Sequence, residues 1–191
     1  NNITANTIDG GSTMVQDWGV YVTDGDRNTI ASNMIRGHTN TGIQFDASAS
    51  SNLIVGNTIR SNLFYGVFFN NDAADANRVE GNTFSSGAGP SLQARGVYVL
   101  DGDANIVTNN TIRGQANYGI VLETTAASNR IVRNSILSNG FTGVLIFGTG
   151  VDANRVAGNT FDGKGFQGRG VSIDDGDRNT VESNTMFGHT F

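Results

Sequence analysis

The sequence predicts an all-β fold, a right-handed parallel β-helix (β-solenoid) of about eight coils with ~25 residues and three strands per coil. Three observations predict it. Asparagine recurs in two columns, β-branched residues recur beside them, and no helical stretch separates one strand-like segment from the next.

An Asn-x-(Ile/Val)-x-x-Asn-(Thr)-(Ile/Phe) unit begins at Asn1, Asn28, Asn52, Asn77, Asn105, Asn129, Asn154 and Asn179. Its second asparagine is Asn6, Asn33, Asn57, Asn82, Asn110, Asn134, Asn159 and Asn184, so 16 of the 24 asparagines occupy two columns. Ile3, Ile30, Ile54 and Val79 begin one apolar column; Ile8, Ile35, Ile59 and Phe84 begin the other. A Gly-(Val/Ile)-x-apolar segment follows in each complete coil, as in Gly19-Val20-Tyr21-Val22 and Gly96-Val97-Tyr98-Val99. Short β-branched runs with period-two alternation are strands. With no helix to cross over, successive coils stack in parallel, each about 4.8 Å above the last. Equivalent residues then lie over one another. A corner Asn can bond its counterparts above and below, and an unpaired buried amide disfavours slippage. The Gly column marks corners that need φ > 0 or a close backbone approach. A leucine-rich repeat has a similar period, but the chain has only seven Leu and no Leu-x-x-Leu-x-Leu frame.

Composition narrows the function classes. The net charge is −5 and no basic run occurs, which disfavours nucleic acid. No cysteine is present, excluding disulfides and thiolate metal sites. No apolar run approaches the ~20 residues of a membrane span. The chain starts and stops within a repeat. One β-helix domain over 1–191 with incomplete terminal coils is therefore expected, as a piece of a longer solenoid or a unit that stacks on itself.

A longer period overlies the coils. Coil starts are separated by 27, 24, 25, 28, 24, 25 and 25 residues, and the additions fall at 9–18, 85–95 and 162–169. These Gly-rich loops are expected to project from one edge, about 14 Å apart. Each enlarged coil ends in Asp-Gly-Asp: Asp24-Gly25-Asp26, Asp101-Gly102-Asp103 and Asp175-Gly176-Asp177.

Candidate surfaces follow from the stacking. Asp75 with Asp101 and Asp103, and Asp152 with Asp175 and Asp177, would gather carboxylates on neighbouring coils, an oxygen-rich arrangement suited to Ca²⁺. The same motif also makes a tight turn whose carboxylate caps local N–H groups. Asp101, Asp103 and Asp75 are also the candidate acid and base for glycoside chemistry, although an active site ordinarily breaks a repeat's symmetry. Side chains alternate along a strand, so Tyr21, Phe68 and Tyr98 point outward, with Trp18, Tyr65 and Tyr118 just before the corner glycines. Such a stripe is a sugar-stacking or protein-contact face unless loops cover it. Arg36, Arg60 and Arg113 share a column, and His38 and His189 share another. Both histidines are expected at the surface, too far apart to hold one metal.

The Asn-x-Ile-x-x-Asn-x-Ile frame resembles the pectin-lyase-like parallel β-helix repeat family, which includes NosD-like repeats and the β-helical modules of alginate epimerases. The resemblance spans essentially the whole chain. It implies the fold and not one activity, since such β-helices serve as lyases, hydrolases, epimerases, adhesins, tailspikes and structural segments. The Asp-Pro-His signature of alginate epimerases is absent; the single proline, Pro90, follows Gly89. The expected role is a secreted or cell-surface structural solenoid: a rigid spacer, filament body or adhesive surface whose partner is itself. The alternative is a polysaccharide-active enzyme or a carbohydrate-binding module.

Overall fold

The computed structural model describes residues 1–11, 15–87 and 93–190. The enlarged segments at 9–18 and 85–95 therefore lie partly outside the described residues. Three parallel sheets run the length of the molecule, with eight, eight and seven strands. Strands such as Thr29–Ala31 build the first, Met34–Arg36 the second and Thr41–Phe45 the third. The chain thus completes seven turns and adds two strands of an eighth.

The register is that of the sequence columns. Ile3 pairs with Ile30, Ile30 with Ile54 and Ile54 with Val79. In the short strands only the middle residue faces inward, and Ile30, Ile35, Ile54, Ile59 and Ile112 are fully buried. The third sheet contributes Ile43, Phe45, Val67 and Phe69 to the same core, where Phe45 and Phe69 stack with centroids 5.2 Å apart. One slipped residue would turn each such side chain to solvent.

Asparagine locks that register. Asn57 Oδ1 accepts both the backbone N–H and the Nδ2 of Asn33, at 2.9 and 3.0 Å, while Asn57 Nδ2 reaches Asn82 Oδ1 and the Ile30 carbonyl. The residue before each asparagine turns the corner with positive φ, including Ser32 (56°), Asn109 (55°) and Arg133 (56°). A non-glycine there costs about 1–2 kcal/mol, which the amide bonds offset. The glycines of the third sheet serve the other purpose. A Cβ on Gly42 would lie 2.8 Å from the Gly66 carbonyl oxygen and 2.9 Å from Ile59 Cγ2, so close approach of stacked coils dictates the residue.

A third buried polar column runs along the corner between the second and third sheets. It comprises His38, Asn62, Gln93, Gln115, Asn139, Gln167 and, half-exposed at the far end, His189. Asn62 Nδ2 donates to Gln93 Oε1 at 3.3 Å, Gln93 Nε2 to Gln115 Oε1 at 2.9 Å, and Asn139 Nδ2 to Gln167 Oε1 at 3.1 Å. His38 is fully buried, which corrects its expected surface position. Its Nδ1 lies 2.8 Å from Asn62 Oδ1, so the donor is Nδ1–H, and among the described residues Nε2 has no partner. Burial holds the His38 pKa below the usual imidazole range, partly countered by Asn62 and by the Asp9 carboxylate.

Candidate functional site

The outward face of the third sheet carries two in-register columns. One runs Trp18, Thr41, Tyr65, Arg95, Tyr118, Thr142, Arg169; the other runs Tyr21, Gln44, Phe68, Tyr98, Val121, Leu145, Ser172. At its centre the rings pack on one another. Phe68 and Tyr98 stack with centroids 4.9 Å apart, Tyr65 lies 4.6 Å from Phe68, and the Arg95 guanidinium sits 4.8 Å above the Tyr98 ring. Phe68 and Tyr98 are consequently only 9% and 7% exposed. This corrects the expected open stripe: these two rings face outward but are roofed by Tyr65, Leu100, Tyr118, Leu145 and Arg95.

The open parts of the face flank that cluster. In the first coils Trp18 Nε1 donates to Gln44 Oε1 at 2.8 Å, and the Tyr21 hydroxyl donates to the Asp46 carboxylate. At the other end Tyr118, Phe141, Thr142, Leu145, Arg169, Ser172 and Asp174 line an open groove of about 300 Å³. Phe141 is 57% exposed, its ring 5.8 Å from Tyr118, and the Ser172 hydroxyl donates to Asp174 at 2.7 Å. Phe166, in the enlarged loop after the second-sheet strand Thr160–Asp162, is exposed beside it. Apolar rings for a sugar face, with Arg, Asp and hydroxyl groups between them, form an amphipathic surface of the kind that binds carbohydrate. Phe141 and Arg169 were legible as outward neighbours of Thr142 and Gly170, in the places that Phe64 and Arg95 take in other coils.

The hydroxyls on this face are set as donors. Burial, and then the Glu123 carboxylate that accepts from its hydroxyl at 2.8 Å, hold the Tyr98 pKa far above the ordinary phenol range. The bond to Asp46 raises Tyr21 likewise. Both phenols stay protonated at neutral pH and neither serves as a base.

The acidic corner is a capping ladder. Asp75 Oδ1 accepts the Asp103 N–H at 2.7 Å, Asp103 Oδ1 the Ala127 N–H at 2.7 Å, and Asp152 Oδ1 the Asp177 N–H at 2.6 Å. Asp101 Oδ1 accepts from the Thr125 hydroxyl and Asp175 Oδ1 from the Gly176 N–H. Among the described residues no three His, Cys, Asp or Glu gather to hold a metal ion. Calcium at Asp75, Asp101 and Asp103, or at Asp152, Asp175 and Asp177, finds no such cage.

A family model described as "Right handed beta helix region" matches residues 75–186. The chain belongs to the right-handed β-helix family. A model described as "Periplasmic copper-binding protein (NosD)" matches residues 1–89. The described residues offer no His, Cys, Asp or Glu cluster to hold copper: the chain has no Cys, and His38 and His189 stand at opposite ends of the buried polar column. Among curated proteins none matches by sequence. Several solved structures share the fold of this β-helix. A mutant of the periplasmic alginate epimerase AlgG aligns with a TM-score of 0.76 at 18% identity, over 97% of this chain and 45% of that one. The A-module of the Azotobacter vinelandii mannuronan C-5 epimerase AlgE4 aligns with a TM-score of 0.74 at 15% identity, over 97% and 55%. The enzymatically active domain of bacteriophage CBA120 tailspike protein 2 aligns with a TM-score of 0.72 at 13% identity, over 94% and 28%. The chain therefore spans about half, or less, of the proteins it superposes on. At these identities the likeness is one of fold. Among the described residues no helix is long and apolar enough to cross a membrane.

Proposed function

We propose that this β-helix is the glycan-holding part of a polysaccharide-acting protein, working outside the cytoplasm. The chain would lie along the axis on the outer face of the third sheet. The observation that carries this reading is the groove of Tyr118, Phe141, Leu145, Arg169, Ser172 and Asp174. It offers exposed rings to the apolar face of a pyranose and charged and hydroxyl groups to its rim. Two of the superposed structures are polyuronate epimerases by name and a third is a tailspike, which favours a polysaccharide partner over the structural spacer first expected. A periplasmic or extracellular site of action accords with the periplasmic epimerase and with the family description of the N-terminal match.

Affinity electrophoresis in gels containing neutral or acidic polysaccharides tests the reading, with product release measured in parallel. Retardation by at least one glycan is expected. Phe141→Ala should weaken it about tenfold, since a stacked aromatic contact is worth on the order of 1–3 kcal/mol. Retardation by no glycan of the panel, or an unchanged Phe141→Ala, would refute it.

A further inference from the structure

The outer face of the first sheet carries a feature that the third-sheet reading leaves unused. Along it Arg78, Ile106, Arg130 and Arg155 stand in register on consecutive coils. Asn109, Arg133, Gly158 and Ser183 occupy the next corner. Together they line an open groove of about 390 Å³. Four of the chain's eleven arginines meet here, in a protein of net charge −5.

Two of the four are neutralised. Arg78 pairs with Glu80 at 2.6 Å and Arg155 with Glu182 at 2.6 Å. Arg130 and Arg133 are exposed, and among the described residues neither forms an ion pair. Moreover, Arg130 lies directly opposite Arg155, and like charges in such a pair are destabilising. Arg133 also holds a left-handed backbone, φ 56°, where the coils on either side place Asn109 and Gly158. Both guanidinium groups thus stand free in the groove, where an anionic ligand would answer them.

We propose that this groove binds a linear carboxylated glycan, with Arg130 and Arg133, which stand on the same coil, holding its carboxylates. The guanidinium fork matches a planar carboxylate. Side chains Ile106, Val132 and Ala157 give the groove an apolar floor for the C–H face of a sugar ring. Two unpaired cations on an acidic protein are too few for the phosphate neutralisation that nucleic acid needs. The site does not depend on the third-sheet face; the two look out from different sheets.

The double variant Arg130→Thr/Arg133→Asn tests it. Thr29 and Thr180 occupy the Arg130 column, and Asn109 the Arg133 corner, so the fold already tolerates both residues. Calorimetric titration with polygalacturonate oligomers, dextran oligomers and dextran sulfate gives the readout, beside the urea midpoint. Wild type should bind polygalacturonate, and the double variant at least about tenfold more weakly, the loss of a charge-assisted hydrogen bond, at a midpoint no lower than that of wild type. Phe141→Ala should keep that difference between Arg-bearing and Arg-free forms. The proposal fails if the double variant binds polygalacturonate as wild type does, or if wild type binds none. It fails too if dextran sulfate binds as tightly as polygalacturonate, since charge alone would then suffice.

Discussion

Asn105 and Asn110 lie in the same coil, are each 1% exposed, and belong one to each asparagine column, yet their side chains are bonded differently. Asn110 makes four hydrogen bonds: Oδ1 accepts from Asn82 N at 2.8 Å and Asn82 Nδ2 at 3.1 Å, and Nδ2 donates to Val79 O at 2.9 Å and Asn134 Oδ1 at 3.0 Å. Among the described residues Asn105 makes one, accepting from Asn77 N at 2.8 Å, and its Nδ2 is without a partner. Truncation to Ala removes the same atoms at the same burial and strands one backbone N–H in each case. The difference is three hydrogen bonds. At a net of about 1 kcal/mol each, Asn110→Ala should cost about 3 kcal/mol more than Asn105→Ala. Relief of the unpartnered Asn105 amide widens the gap. Urea unfolding followed by far-UV circular dichroism, with midpoints compared at equal slope, measures it. Equal losses, or a larger loss at Asn105, would mean that the ladder stabilises by packing volume and not by its hydrogen bonds.

Two further perturbations address the interior. Burial makes folded His38 harder to protonate than the unfolded residue, so the unfolded state holds more protons around and below pH 6.5 and stability falls as pH drops through that value. The slope is at most about 1.4 kcal/mol per pH unit. His38→Gln, which places at this position the residue that Gln93 and Gln115 supply elsewhere in the column, should remove that part of the acid slope in urea midpoints between neutral and mildly acidic pH; an unaltered slope would show that His38 does not titrate. At Gly119 a Cβ would stand 2.5 Å from the Gly143 oxygen and 2.9 Å from Ile136 Cγ2, forcing two coils apart. Gly119→Ala should cost about 1–3 kcal/mol or more, visible as a Tm lowered by several degrees, and a neutral outcome would show that stacking tolerates the extra carbon.

The fold was legible because a solenoid writes its register into the sequence. A residue that must meet its own counterpart one coil away recurs in type as well as in position, as the asparagines and isoleucines do. The column from His38 to His189 escaped because it conserves a bonding role and not a residue: Asn, Gln and His all supply a donor and an acceptor at that depth. The enlarged loops displaced Gln93 and Gln167 in sequence, which hid the alignment further. On the third sheet, alternation gave the direction of Phe68 and Tyr98 correctly, but exposure depends on the neighbours. Arg95 reads as a lone cation in the sequence and proves to be a lid over three rings. Alternation also assigns Arg78, Arg130 and Arg155 to one outer column, and their significance lies in which of them acquire a carboxylate partner.

The same division explains how one repeat can carry unlike surfaces. Inward positions are bound by the coil above and the coil below, and a substitution there strands a buried group in both. Outward positions also touch the coils above and below, but with solvent on their open side. Thus the Arg130 column runs through Asn, Thr, Leu, Arg and Ile without disturbing Ile131 or Val156 beneath it. Charge and aromatic groups can therefore accumulate on separate faces over an unchanged interior. If the interior sets the register alone, replacing Arg130 and Arg133 should not lower the unfolding midpoint while altering what the outer face holds. Loss of the fold in that variant would place part of the register in the surface, and the separation of framework from binding face would not stand.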